Sequence, residues 1–192
     1  MYKKLTFSPF SFPTRHFSCV RKDSRDSAPA AGLEAGGDGS LEEILKREGD
    51  KVAAVIIEPK LQGAGGMIVW PSASLVEIRD LCDRHGTILI ADEVFTGFGR
   101  TGPLFACEHG PIVPDIICLS KALTAGYMPL AATLSTDKIY DSFLSEDRGK
   151  TFFHGHSYTA NALACAIALE NLDIFEEEKI LPRIAEIEEL FS

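Results

Sequence analysis

The stretch that most limits how this chain can fold runs from 87 to 126, TILIADEVFTGFGRTGPLFACEHGPIVPDIICLSKALTAG. It holds two short apolar runs. Thr87 to Ala91 stops at two acids, Asp92 and Glu93; Ile116 to Leu119 stops at Ser120 and Lys121, ahead of the small residues Ala122 to Gly126. Short continuous apolar runs of this kind are how buried strands of a parallel sheet read. Ligands of open α/β sheets bind outside the carboxyl ends of such strands. One acid and one lysine therefore leave two strand ends towards one place.

A carboxylate and a lysine at one cleft have a joint use. Lysine condenses with an aldehyde, and a carboxylate that keeps a pyridine nitrogen protonated turns the ring into an electron sink. That pairing is pyridoxal phosphate chemistry. The alternative is a strand-end aspartate capping the next turn beside a solvated lysine, and two residues do not decide between them.

The flanking sequence supports an α/β sheet. Ser40 with Glu43 forms a capping box opening a helix through Glu48 that Gly49 ends. Val52 to Ile57 reads as a strand stopped by Glu58 and Pro59. Ser74 with Glu77 predicts a second capping box, with Leu75, Ile78 and Cys82 on one helical face before His85 and Gly86. Strand, helix and strand from Val52 to Ala91 make a parallel, right-handed crossover. The expected fold class is thus α/β, a mostly parallel sheet with helices on both faces.

The glycine-rich loop Gln62 to Gly66 lacks both GxGxxG and GxxxxGK[ST], so nucleotide binding is not expected there. Turns needing positive φ explain its glycines. Leu130 to Leu134 is a further strand, Asp137 to Leu144 a helix and Ser145 to Lys150 a charged loop. The block HGHSYTAN, 154 to 161, precedes the longest helix, Ala160 to Glu178, which is apolar at Leu163, Ile167, Leu169, Leu172 and Phe175. Small and hydroxylated residues before a helix start suit an anion; a plain cap by Thr159 or Asn161 is the alternative. Glu176 to Glu178 oppose the helix dipole and should fray its end. Arg100, in the loop after Asp92, is either a fork to a carboxylate or a substrate-side cation.

Composition narrows the classes. The net charge of -9 argues against a nucleic-acid or anionic-membrane partner, and no apolar run is long enough to span a bilayer. The five cysteines and five histidines show no metal-site spacing, so no metal is expected. Scattered thiols with apolar neighbours suit a reduced, cytoplasmic protein. Residues 1–39 carry six Lys or Arg before Ser27, a transit-peptide composition, but Asp23 and Asp26 break it. They are expected to be an irregular or flexible lead-in, with 40–178 a partial large domain and 179–192 the start of a truncated helix.

AAVIIEP at 53–59, QGAGGM at 62–67, LIADEVFTGFGRTG at 89–102, PDIICLSKALTAGYMPLAATL at 114–134 and FFHGHSYTANALACAIALENL at 152–172 resemble, in that order, the class III aminotransferases. Within the class the resemblance is closest to the members of biotin biosynthesis. It implies fold type I, pyridoxal 5'-phosphate as cofactor, and a small-molecule amino donor and keto-acid acceptor. It makes Lys121 the catalytic residue that holds the cofactor covalently and moves the proton, a role that burial would favour. Asp92 would face the pyridine nitrogen, Val94 pack on the ring and Gln62 contact its phenolic oxygen. Ser157, flanked by Gly155 and His156, would reach a dimer partner's cofactor phosphate; Glu58, Gly155 and Arg100 would stand on the substrate side. The resemblance also implies a fragment: the family's amino-terminal phosphate loop and carboxy-terminal small domain have no counterpart here. Three functions follow: amino transfer to a 7-keto acid, a silent or interaction-only remnant, or another class III activity on an ω-amino acid or diamine.

Overall fold

A computed structural model describes residues 5–6, 17–21, 28–30, 40–63 and 65–191. The element order is β1 (Leu5–Thr6), β2 (Phe17–Arg21), β3 (Ala28–Ala30), α1 (Leu41–Glu48), β4 (Val52–Ile57), β5 (Leu61–Gln62), β6 (Ile68–Val69), α2 (Ser72–His85), β7 (Ile88–Asp92), β8 (Ile116–Leu119), β9 (Ala132–Ser135), α3 (Asp137–Asp141), α4 (Ala162–Glu177) and α5 (Ile180–Phe191). Seven strands form one sheet in the order β1-β9-β8-β7-β4-β2-β3, and β5 pairs only with β6. The centre, β4, β7 and β8, is parallel. Outside it β2 and β9 run against their neighbours, and β1 and β3 turn back into the central direction. The sheet is thus mostly parallel in direction. The lead-in expected for 1–39 contributes three short strands to it; the transit-peptide question and the rest of the linker lie outside the described residues.

Register explains where the core sits. Val55 lies beside Leu89, and Ile57 beside Ala91; Ala91 is beside Ile117, and Leu119 beside Ala132. Side chains alternate faces along a strand, so these residues share one face, and all are buried. Leu41 and Leu45 of α1 and Leu75, Ile78, Leu81 and Cys82 of α2 close over its β4 half. Ala164 and Ala168 of α4 close over its β8 half. The alternate residues Ile56, Ile88, Ile90, Ile116 and Cys118 face the other way and are half-buried. The described helices α1, α2 and α4 pack against the Leu89 face.

Local signals held at some ends and failed at others. Ser40 caps α1, its Oγ accepting from the Glu43 N–H, and Gly86 closes α2 at φ +62. The capping box at Ser74 does not form: α2 starts at Ser72 after Pro71, and Ser74 donates its own N–H to the Pro71 carbonyl inside the first turn. A proline ahead of the helix leaves Ser74 too late to cap it. In α4 the buried seam is Ala164, Ala168 and Asn171, while Leu163 and Leu169 are 62% and 63% exposed. The leucines expected to face the core point away because small alanines let the helix approach closely.

Candidate active site

The three parallel strands end at one edge, and the register sets what meets there. Asp92 is the partner of Cys118, and continuing β4 by one residue puts Glu58 beside Asp92. The Glu93 N–H donates to the Cys118 carbonyl at 2.9 Å, locking β7 to β8 at this edge. At the opposite edge Arg79 of α2 reaches Asp115 (2.9 Å), which also accepts from the Leu89 N–H. Both ends of the β7–β8 pair are therefore pinned, and Asp92 and Lys121 inherit their separation from it.

Lys121 opens a 3₁₀ turn, Lys121–Thr124, directly after β8. Its φ is +46, and Ala125 closes the turn at +50. Left-handed backbone costs a non-glycine residue about 1 kcal/mol or more and clusters at functional sites. The lysine Nζ lies 4.8 Å from the centre of the Phe95 ring. Lys121 is exposed, contrary to the burial expected of it: the strand end carries it past the core, onto an edge where Phe95 is the described ring it meets. Ser120 braces the turn from the other side, its hydroxyl donating to the Leu130 carbonyl at 2.7 Å.

Asp92 is largely buried, and its Oδ1 accepts from the Val94 N–H at 3.1 Å. Burial, and then the charges of Glu58 and Glu93, push its carboxyl above the usual aspartate range; the Val94 N–H and the Lys121 charge pull the other way. The net upward shift says that burial, helped by two neighbouring acids, outweighs the donor and the cation that favour the charged carboxylate. Cys118, beside Asp92, is raised to about 11 by burial and by the Asp92 charge.

Glu58 is buried and accepts from the Gly63 N–H at 2.9 Å, and Gln62 is fully buried. The loop's glycines answer a different need from the positive φ expected for all of them. Only Gly66 has it, at +112. A Cβ on Gly63 would stand 2.9 Å from the Phe95 ring, and one on Gly65 2.8 Å from Gln62 Oε1. Close approach, not turn geometry, excludes side chains at 63 and 65. Arg100 lies over Phe95 at 5.4 Å and is exposed; among the described residues it makes no ion pair, so the fork to a carboxylate is not formed. Val94 is half-buried.

Gly155, His156 and Ser157 lie on an exposed turn closed by His156 N–H to Thr159 Oγ1 and Tyr158 N–H to His156 Nδ1, each 3.0 Å. Among the described residues no hydrogen bond, ion pair or ring contact joins this turn to Asp92 or Lys121. Asn161 caps α4 through Ala164 N–H, as one of the two sequence readings had it. Two residues of the site had no assigned role in the sequence. Phe95, in the loop after Asp92, is the ring that Lys121, Arg100 and Gly63 share. Glu93, fully buried, accepts from Thr96 Oγ1, Ala106 N–H, Cys107 N–H and Cys107 Sγ, and so folds the loop after Asp92 around one carboxylate. An acid next to an apolar strand end was the only signal.

The sequence model of the family "Aminotransferase class-III" matches residues 4–192. The chain belongs to the class III aminotransferases. It is 51% identical over 183 residues to the adenosylmethionine-8-amino-7-oxononanoate aminotransferase of Geobacter sulfurreducens, covering 93% of this chain and 40% of that enzyme. The crystal structure of the like-named enzyme of Methanocaldococcus jannaschii superposes with a TM-score of 0.70 at 42% identity, over 75% of this chain and 34% of that one. A PLP-bound amine transaminase from an uncultivated Pseudomonas species matches with a TM-score of 0.68 at 45% identity, over 73% and 32%. The chain thus spans about two fifths of the length of curated relatives such as these.

The described residues fit a pyridoxal-type group by their chemistry. Among the described residues a lysine amine stands over an aromatic face without a carboxylate contact, and a largely buried carboxylate with raised proton affinity forms no ion pair, the Lys121 charge offsetting only part of the cost of its burial. A protonated ring nitrogen would offset the rest.

Proposed function

We propose that this chain carries the covalent-attachment half of a pyridoxal-phosphate-dependent aminotransferase. The observation that carries the reading is the delivery of Asp92 and Lys121 from adjacent parallel strand ends to one edge. The cofactor, when bound, supplies the electron sink. Lys121 would attach it and, once displaced by an amino donor, would hold or return the proton of the donor's α-carbon. Asp92 would keep the ring nitrogen protonated, which would stabilise both charges in a largely buried place. Val94 would pack against the ring and Gln62 would meet its phenolic oxygen; Glu58 and Arg100 would flank the substrate. Gly155, His156 and Ser157 would serve the phosphate of a partner subunit, which suits a surface turn that no described hydrogen bond, ion pair or ring contact joins to Lys121.

The names of the relatives favour 8-amino-7-oxononanoate as acceptor and adenosylmethionine as amine source; another donor such as lysine, and a cytoplasmic homodimer, are part of what we propose. Phe153, Tyr158, Leu163 and Leu169, all more than 60% exposed, supply apolar surface for that pairing. An absorbance titration with pyridoxal phosphate tests the reading: a visible band should form with the native chain, not with Lys121→Ala, and an amino donor should discharge it. A band equal in both proteins would overturn it.

A second reading has its own observation. Lys121 is exposed, as it would be in a chain that works only beside a longer relative. In that case the band is absent alone and appears on mixing with such a relative. An ω-amino acid or diamine donor that discharges the band faster than adenosylmethionine would instead mark another class III activity.

A further inference from the structure

Helix α4 presents small apolar residues to the strand ends, with one exception. Asn171 is 7% exposed in a seam otherwise made of Ala164, Ala168 and Phe175. Asparagine is a poor residue for a helix interior, and burying its amide costs free energy unless it is hydrogen-bonded. Its Nδ2 donates to the Ala122 carbonyl at 2.9 Å and to the Leu123 carbonyl at 3.2 Å. Those carbonyls belong to the turn that Lys121 opens. That turn is otherwise closed by Leu123 N–H to Ser120 (3.0 Å) and Ala125 N–H to Ala122 (3.1 Å), with left-handed backbone at both ends.

We propose that Asn171 is a positioning residue for Lys121: its amide clamps two carbonyls of the turn and keeps the strained lysine backbone from relaxing. The inference rests on Lys121 being the reactive amine. The physical logic is one of compensation. Left-handed conformation at Lys121 and Ala125 favours opening of the turn, and opening would break both hydrogen bonds from Asn171 and leave its buried amide unpaired. The clamp therefore converts an unfavourable backbone into a fixed direction for Nζ, over Phe95. Ala164 and Ala168 allow it, because a larger residue at either would hold α4 too far away for the amide to reach.

The test is site-resolved amine labelling of the whole chain, with Lys138 and Lys150 as internal references. Pyridoxal phosphate followed by borohydride reports attachment, and trinitrobenzenesulfonate across pH 7–10 reports the amine without any cofactor. Asn171→Leu keeps the branched shape and removes the donor; Asn171→Ala removes both. With thermal unfolding still cooperative, both variants should lose about three- to tenfold in pyridoxal phosphate attachment at Lys121, the scale of one hydrogen bond. The pH profile of Lys121 should also shift relative to the references. Lys121 labelling and pH profile unchanged relative to the references in either folded variant would overturn the proposal. So would failure of both variants to fold, which would make Asn171 structural alone. Attachment in the native chain spread evenly over the lysines would instead sink the reading of Lys121, and is seen before any variant is made.

Discussion

Leu89 and Ile90 are neighbours in β7, equally apolar, and end on opposite faces of the sheet. Leu89 is fully buried beneath α2, together with Val55 and Ile57. Ile90 is half-buried, in a row with Ile56 and Ile116, and belongs to neither helix-covered cluster. Strands that carry apolar residues on every position are written for two covering layers, and the described helices provide one. The difference teaches where the chemistry sits. Asp92, Cys118 and Thr133 lie on the Ile90 face at its carboxyl edge, so the candidate site opens on the less covered side.

The strongest way to break this comparison is to truncate both neighbours. Leu89→Ala should cost about 3 kcal/mol in urea unfolding, because it leaves a cavity in a closed core. Ile90→Ala should cost about 1 kcal/mol, since less of its surface is removed from water. Equal losses would mean that both faces are covered alike.

Glu93→Gln comes next, at about 2 kcal/mol. An amide presents its own donors to the N–H and S–H groups that the carboxylate accepts from, and the loop carrying Val94 and Phe95 should loosen. Faster amide exchange at Ala106 and Cys107 than in the native chain would report it.

Asp92→Asn should have the opposite sign. The folded-state pKa of Asp92 is raised, so the folded chain binds a proton more tightly than the unfolded one, and ionisation of Asp92 destabilises the fold. Stability falls as pH rises from the ordinary value of 3.8 through the raised value. Asp92→Asn should therefore raise the melting temperature of the cofactor-free chain at neutral pH, with the gain fading below that window. The same change should weaken pyridoxal phosphate binding. A melting temperature that falls at pH 7 would show that Asp92 is already compensated.

The smallest effect is at Cys118, whose thiol sits near 11 through burial and the Asp92 charge. Its alkylation in the native chain should still be accelerating above pH 9, and Asp92→Asn should speed it at pH 8 by removing the second cause. A rate that levels off below pH 9 would place the thiol outside the influence of Asp92.

Much of this was legible beforehand. Strand ends were marked by abrupt changes from apolar runs to Glu58, Asp92 and Lys121, because a buried strand must surface where it stops. Helix ends were marked where a cap acts locally, at Ser40 and Gly86, and misread at Ser74, where Pro71 directly ahead of the helix decided the start. The exposure of Lys121, the shared ring of Phe95 and the clamp of Asn171 were not legible. Each joins residues far apart in the chain, and neither periodicity nor propensity carries information about such distances.

The sequence by itself determined the α/β class, the parallel centre and the pairing of an acid with a lysine, since these follow from apolar runs, caps and crossover handedness. Tertiary structure alone decided that β9 runs antiparallel, that alanines rather than leucines seat α4, and that glycine at 63 makes room for Phe95. The physical reason is the same in each case. Local free energies choose an element, but the space left between elements chooses which side chains can meet.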